Sequence, residues 1–178
     1  MLFANWLNRR FAKQIKNPME IDKKIKSLAQ LKKIIFQLQA KGKKIVFTNG
    51  CFDILHYGHV KYLSDAKKNG DILVVAINTD TSVKKIKGKN RPIVNQADRA
   101  RVVAGLASVD FVVLFNQQTP LETITALKPD ILVKGGDWKK KDIVGADFVC
   151  GRGGKVLTIN FLKNRSTTGL IKKIAKIF

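Results

Sequence analysis

The two histidines of this chain stand three residues apart, at His56 and His59, with Gly58 between them. The apolar run before them, residues 44–48, predicts a strand that turns into a helix at the histidines. Backbone N–H groups and the positive end of the helix dipole attract an anion at such a point, and two imidazoles can donate hydrogen bonds to a phosphate. The alternative is that both side chains only cap the helix start or pack against it, because short motifs match by chance.

A second candidate anion site lies near the end of the chain, where Arg165, Ser166, Thr167 and Thr168 open the last helical pattern. The hydroxyls and the free N–H groups of a helix start can hold phosphate oxygens. The alternative is an ordinary helix cap, since serine and threonine are common at that position. Two anion sites in one small domain predict a substrate with several phosphates.

The elements that must position these residues alternate between strands and helices. Apolar runs predict strands over 43–48, 71–77, 110–115, 130–133 and 155–161, and helical patterns lie between them. This order predicts an α/β, Rossmann-like fold, with a parallel five-stranded sheet and helices on both faces. Polar residues follow four of the strands and should meet at one edge of the sheet: Asn49, Asn78, Lys134 and Asn164.

Helix boundaries are indicated at several points. Ser27 and Gln30 form a capping-box pattern before a predicted helix over 27–41, and Thr119 and Glu122 form another around Pro120. Residues 78–95 have little periodicity and are rich in basic side chains, so they predict a mobile basic loop that contains Lys84, Lys85, Lys87, Lys89 and Arg91.

Length and composition predict one domain over 27–178 and a basic N-terminal extension over 1–26. No apolar run is long enough to span a membrane and no secretory signal is recognisable, so we expect a cytoplasmic protein. Cys51 and Cys150 are too few for a disulfide framework or a zinc site. Cys51 is interpreted as a small packing residue, with a reactive thiol as the alternative.

The formal net charge of +21 attracts anions in general, although it can equally serve solubility. The lysines are spread along the chain and no basic stretch is interleaved with aromatic residues, so no specific nucleic-acid partner is expected. In the extension, one helical face would carry apolar side chains. That face fits a membrane-surface helix, a dimer contact or an ordinary packed segment: Trp6, Leu7, Phe11 and Ile15.

The motifs together resemble a known superfamily. Gly50-Cys-Phe-Asp53, the His-x-Gly-His pattern and Ser166-Thr-Thr168 resemble the nucleotidyltransferases that include glycerol-3-phosphate cytidylyltransferase. A longer match over residues 27–178 resembles the adenylyltransferase domain of bacterial ADP-heptose synthase. It is carried by the segments 42–56, 78–80, 91–92, 98–99 and 133–138.

The resemblance implies transfer of AMP from ATP to D-glycero-β-D-manno-heptose 1-phosphate, with release of pyrophosphate, for lipopolysaccharide synthesis. Many members carry a sugar kinase before this domain. Only 48 residues precede the first motif here, so we expect the stand-alone form, a separate heptose kinase and a homodimer. The alternatives are a cytidylyltransferase acting on glycerol 3-phosphate or a similar phospho-alcohol, and a non-catalytic protein that binds nucleotides or nucleic acid.

The resemblance also implies roles for single residues. Mg²⁺ would arrive with ATP, without a dedicated protein cage, and Asp53 would organise the turn as a hydrogen-bond acceptor. Phe161 stands where the cytidylyltransferase has an arginine, and Arg165 is a candidate substitute. Simpler alternatives are a solvated position for Arg99 and for the lysines of 84–87, and a packing role for Trp138. The implied catalytic residues are His56, His59, Lys84 and Arg99, and the implied nucleotide-binding residues are Asn49, Gly50, Cys51, Phe52, Gly58, Lys134, Gly135, Gly136, Asp137, Trp138, Arg165, Ser166, Thr167 and Thr168.

Overall fold

The computed structural model of the protein describes residues 19–136, 138–139, 142–162 and 165–177. It contains the predicted sheet of five strands, all parallel, in the order β3-β2-β1-β4-β5. The central strands are buried on both faces, which explains why they are continuous apolar runs in the sequence. The strands are β1 (Ile45–Gly50), β2 (Ile72–Asn78), β3 (Phe111–Phe115), β4 (Ile131–Gly135) and β5 (Lys155–Ile159).

Helices cover both faces of the sheet, as predicted. One face carries Phe47 and Leu132 in a core with α1, α5 and α6, and the other carries Val46 and Val133 in a core with α2 and α4. The chain leaves β1 for β2 and β3, then returns to place β4 on the other side of β1, so the switch point lies between β1 and β4. The helices are α1 (Leu28–Ala40), α2 (Tyr57–Lys67), α3 (Asp80–Lys87), α4 (Gln96–Ala104), α5 (Leu121–Leu127), α6 (Ala146–Gly151) and α7 (Thr167–Ile174).

Two of the predicted helix starts have different outcomes. The capping box before α1 is confirmed, since the Gln30 N–H donates to Ser27 Oγ at 3.3 Å and the Ser27 N–H donates to Gln30 Oε1 at 3.1 Å. The box at Thr119 is wrong: Pro120 is the N-cap residue of α5 and provides no side-chain hydrogen bond. Glu122 instead accepts a hydrogen bond from Gln117 Nε2 at 2.6 Å, so its carboxylate is used in the preceding loop.

The predicted mobile loop over 78–95 is wrong in its first half, because residues Asp80–Lys87 form α3. Thr79 caps this helix by accepting the Ser82 N–H at 3.3 Å. Only Val83 and Ile86 are large apolar residues within α3, which is too few to produce a helical pattern in the sequence. The basic residues at 84, 85 and 87 therefore lie on the last turns of a short helix.

Part of the predicted N-terminal extension packs on the domain. A 3₁₀ helix spans Glu20–Lys24, and Lys24 Nζ donates to the Val109 carbonyl at 2.7 Å. The Lys26 N–H donates to the Val112 carbonyl at 2.9 Å, beside a parallel bridge between Ile25 and Val112. The amphipathic segment that contains Trp6 lies outside the described residues. Within the described ranges, no helix has the length and apolar character that crossing a membrane requires.

Candidate active site

The histidine motif forms the predicted strand–turn–helix. β1 ends at Gly50, His56 is the N-cap residue of α2, and His59 lies in its first turn. The two imidazoles stack with their centroids 4.0 Å apart. Phe52 has a left-handed backbone (φ 47°), and its ring lies so close to Gly50 that a Cβ there would be 2.9 Å from Phe52 Cε2. Gly50 and Phe52 therefore shape the turn that presents the two histidines.

The protonation of the histidines follows from their surroundings. The backbone N–H of His56 donates to His59 Nδ1 at 3.4 Å, so the neutral imidazole of His59 carries its proton on Nε2. Burial, followed by the neighbouring His56, lowers the pKa of His59 to about 4. Burial, followed by the charge of Arg165, also lowers the pKa of His56. At neutral pH the pair consists of uncharged hydrogen-bond donors.

The end of the chain reaches the histidine turn at Gly58. A Cβ at this position would lie 2.9 Å from His56 Nδ1 and 3.2 Å from Arg165 Cβ, so only glycine fits between them. Thr167 Oγ1 donates to the Ile54 carbonyl at 3.3 Å, which ties the start of α7 to the same turn. The two anion sites predicted from the sequence thus lie side by side.

The structure shows Ser166 as the N-cap residue of α7, and its binding of an anion stays a prediction. Ser166 Oγ accepts the Gly169 N–H at 3.0 Å, as an ordinary N-cap does. Its hydroxyl proton and the N–H groups of the first turn remain able to donate to an anion. His56 Nδ1 lies nearby and is buried with no hydrogen-bond partner among the described residues. Such a buried polar atom is one that a bound ligand can satisfy.

Asp53 links the histidine turn to residues 91–94 through hydrogen bonds, which confirms its predicted structural role. Its carboxylate accepts from Arg91 Nε at 2.5 Å, from the Ile93 N–H at 2.8 Å and from the Val94 N–H at 2.9 Å. Burial opposes ionisation, but these hydrogen bonds outweigh it and lower the pKa of Asp53 below its usual value. The turn is thereby fixed to the segment that follows α3.

Arg99 is buried rather than solvated, so the alternative of a solvated helix face is wrong. Its guanidinium donates to the carbonyls of Cys51, Asn78 and Val94 and to Asp80 Oδ1. These bonds tie the ends of β1 and β2 to α3 and to the start of α4. The structure therefore gives Arg99 a positioning geometry, and its contact with a substrate phosphate stays a prediction.

The lysines of α3 are exposed beside the same edge. The side chains of Lys84, Lys85 and Lys87 are all exposed to solvent, and their roles in the reaction also stay predictions. Lys87 is close enough for its charge to act on Cys51, although burial dominates there and raises the pKa of the Cys51 thiol. A neutral, half-buried thiol supports the packing interpretation of Cys51 over a reactive one.

The loop after β4 packs on the ring of Phe161, which the sequence marked only as the replacement of an arginine. A Cβ on Gly135 would lie 2.7 Å from Phe161 Cζ, and one on Gly136 (φ 94°) would lie 2.8 Å from Phe161 Cε2. Phe161 is nevertheless 64% exposed and Trp138 is 51% exposed. Together with Gly136, Lys139 and Asp142 they line a cavity of about 510 Å³. The signal in the sequence was the pair of glycines followed by an aromatic residue shortly before Ser166.

The remaining predicted residues are Asn49, Lys134, Asp137 and Asn164. Lys134 Nζ donates to Asn49 Oδ1 at 3.2 Å across β4 and β1. Burial lowers the pKa of Lys134. Asp137 and Asn164 lie outside the described residues.

Comparison with known proteins agrees with this geometry. The profile of the family described as cytidylyltransferase-like matches residues 47–153, from β1 to the end of α6. The bifunctional protein HldE of Geobacter metallireducens is 51% identical over 157 residues, which are 88% of this chain and 32% of that protein. HldE of Campylobacter concisus is 55% identical over 152 residues, 85% of this chain and 31% of that protein. The chain thus spans about a third of the length of these relatives.

Solved structures with a similar fold were also found. The lipopolysaccharide core biosynthesis protein of Thermoplasma volcanium superposes with a TM-score of 0.55 and 32% identity, covering 70% of this chain and 100% of that one. The pantoate-beta-alanine ligase of Francisella tularensis has a TM-score of 0.55 at 16% identity, covering 85% of this chain and 78% of that one, so it shows the fold alone. The fold predicted from the strand and helix pattern is confirmed.

Proposed function

We propose that this chain, which belongs to the cytidylyltransferase-like family, transfers AMP from ATP to D-glycero-β-D-manno-heptose 1-phosphate and forms ADP-heptose and pyrophosphate. The observation that carries the proposal is the contact between the histidine turn and the start of α7, since it brings the two segments that we propose as anion sites together. The sequence resemblance to the adenylyltransferase domain of ADP-heptose synthase and the relatives named HldE support the choice of sugar.

The reaction needs alignment more than it needs a base. An oxygen of the sugar phosphate attacks the α-phosphorus of ATP, a new P–O bond forms, and the bond to the bridging oxygen breaks as pyrophosphate leaves. The attacking phosphate is already an anion, so no proton has to be removed from it. His56 and His59 would donate to oxygens of the α-phosphate, and the first turn of α7 would hold the β- and γ-phosphates.

We assign the nucleoside to the cavity formed by the segments that follow β4 and β5. Trp138 and Phe161 offer exposed aromatic faces against which a base can stack, and the backbone at Gly136 can approach the base edge. The run 134–138 matches the ADP-heptose enzymes where the cytidylyltransferase has an additional acidic residue in place of Gly136. On that ground we propose ATP over CTP as the nucleotide.

Mg²⁺ fits this site as a companion of the nucleotide. In the part of the chain that the structure describes, no three His, Cys, Asp or Glu side chains are grouped to hold a metal ion. Asp53, the buried carboxylate nearest the turn, is already bonded to Arg91 and to two backbone N–H groups. The ion would neutralise charge on the leaving pyrophosphate while the phosphates themselves supply most of its ligands.

The proposal includes a setting for the reaction. A sugar 1-phosphate must first be made by a phosphorylating enzyme, so a heptose kinase activity has to precede this step. We propose that the protein acts in the cytoplasm, where ATP is abundant, as a homodimer without a specific nucleic-acid partner.

A coupled pyrophosphate-release assay tests the function directly. ATP and CTP are each combined with the heptose 1-phosphate, with other sugar 1-phosphates and with glycerol 3-phosphate. We expect the highest kcat/KM for ATP with the heptose 1-phosphate. A preference for CTP with glycerol 3-phosphate would replace the proposal by the cytidylyltransferase alternative, and no release with any pair would favour a binding protein.

A further inference from the structure

Three polar side chains end neighbouring strands on one face of the sheet. Side chains alternate between the faces of a strand, so Asn49 follows Phe47, Asn78 follows Ala76, and Lys134 follows Leu132. Phe47, Ala76 and Leu132 all belong to the core beneath α1 and α5. The hydrogen bond between Lys134 and Asn49 confirms that these two lie on the same side.

The histidines belong to the other face. α2, which they begin, packs through Tyr62 and Leu63 on the core that contains Val46 and Val133. The start of α7 joins that helix through Thr167 and Gly58. The proposed triphosphate site and the Lys134 site therefore approach the carboxyl edge of β1 and β4 from opposite faces.

Lys134 has the character of an anion-binding residue. Its ammonium carries three N–H groups, and among the described residues Asn49 Oδ1 is the acceptor that it contacts. Asn49 is neutral, so within the described ranges no carboxylate forms an ion pair with this half-buried ammonium. A charge in that environment is stabilised by an anionic partner.

The geometry of the proposed reaction indicates which anion Lys134 would bind. In phosphoryl transfer the attacking and leaving oxygens are roughly in line through the phosphorus. If the pyrophosphate leaves towards α7, on the α2 face, the attacking oxygen must come from the opposite side. That side is the one on which Asn49 and Lys134 end their strands.

We propose that Lys134, oriented by Asn49, binds the phosphate of the acceptor substrate and holds its oxygen for attack. The inference rests on the proposed function, because it needs a phosphorylated acceptor. It differs from the sequence-based assignment, which placed Lys134 at the nucleotide.

Steady-state kinetics of Lys134→Met test the proposal. The variant keeps the length and removes the charge, so we expect the KM for the heptose 1-phosphate to rise about 30-fold and the KM for ATP to change less than about threefold. Lys134→Arg should recover part of the loss. Lys155→Met is the matched control, because it removes an exposed lysine from the amino end of the neighbouring strand β5.

A rise in the KM for ATP alone, or no change in either KM, would overturn the proposal. If Lys134→Met does not fold, as judged by its melting curve, Asn49→Asp replaces it: the new carboxylate competes for Lys134 and should produce the same split between the two KM values.

Calorimetry separates this inference from the function itself. The heptose 1-phosphate and glycerol 3-phosphate are titrated into wild type and Lys134→Met in the presence of a non-hydrolysable ATP analogue. Binding of either compound to wild type that is lost in the variant supports the proposal even if the pyrophosphate assay identifies another nucleotide or acceptor. Equal binding to both proteins, or none to wild type, contradicts it.

Discussion

The two ends of the sheet differ in how they present positive charge. At the amino end, a cleft of about 410 Å³ is lined by exposed cations that include Lys44, Lys128, Arg152 and Lys155. At the carboxyl end, the histidines are uncharged, Arg99 is covered by its acceptors, and one lysine is half-buried beside an amide. The carboxyl end thus differs in having polar groups that the fold holds in place, although Lys84, Lys85 and Lys87 are exposed beside it.

This difference explains why the net charge of +21 is a poor guide to the site. Exposed cations attract any anion, and salt screens that attraction. Donors that are fixed by the fold act on one ligand geometry and need no reorganisation when charge develops on it. Substitutions at the two ends of the sheet separate these two kinds of contribution.

The largest effect is expected for His59→Ala. The Nε2 donor would be lost from the reacting phosphate, so kcat should fall about 10²–10³-fold, while the Kd for ATP changes much less, because the donor acts mainly in the transition state. Single-turnover kinetics and calorimetry measure the two quantities. Lys128→Ala at the amino end is the control, and a turnover of His59→Ala close to that of the control would remove the histidine from the mechanism.

The next prediction concerns two triple variants, one at each end of the sheet, that remove the same number of positive charges. Replacing Lys84, Lys85 and Lys87 on α3 by glutamine should lower kcat/KM about tenfold, since these cations stand beside the carboxyl edge. The matched triple at the amino end, Lys44, Lys128 and Lys155 to glutamine, should lower it less than about twofold. Assays at low and high salt decide the point, and equal losses that salt abolishes would show that only the overall field matters.

Much of this architecture was predictable, and the failures have physical reasons. The strands were found because burial on both faces makes them continuous apolar runs. α3 was missed because it buries one face against β2 through only Val83 and Ser82. The burial of Arg99 has no local signal, because its acceptors lie in segments distant in sequence. The packing of Phe161 on Gly135 and Gly136 had only the pair of glycines as a signal.

A smaller effect, on stability, is expected for Asp53→Asn. The folded-state pKa of Asp53 is lowered, so its carboxylate stabilises the fold above the unfolded value of about 3.9, and this contribution is lost as the pH falls through the folded pKa. The variant should lose about 1–3 kcal/mol of unfolding free energy at pH 7 and less at lower pH. Urea unfolding measures this.

Asp65→Asn provides the comparison for that measurement. Asp65 forms surface ion pairs with Lys61 and Lys68, which typically contribute about 0–1 kcal/mol. A loss for Asp53→Asn no larger than that of Asp65→Asn at pH 7 would mean that Asp53 does not fix the turn.

The smallest expected effect, which tests the contrast between the two ends of the sheet, is a shift in the pKa values of the two histidines. The chain has only two, so proton NMR of their ring signals reports both, and His56→Gln assigns them. The signal of His59 should titrate near pH 4 and that of His56 below its usual 6.5. Because both folded-state values are lowered, the unfolded chain binds more protons in this range and stability should decrease as the pH falls from about 6.5 towards 4.

Arg165→Gln should raise the pKa of His56, since the charge of Arg165 opposes its protonation. Midpoints near 6.5 for both histidines would make the carboxyl end a charged site like the amino end, and the contrast between them would fail.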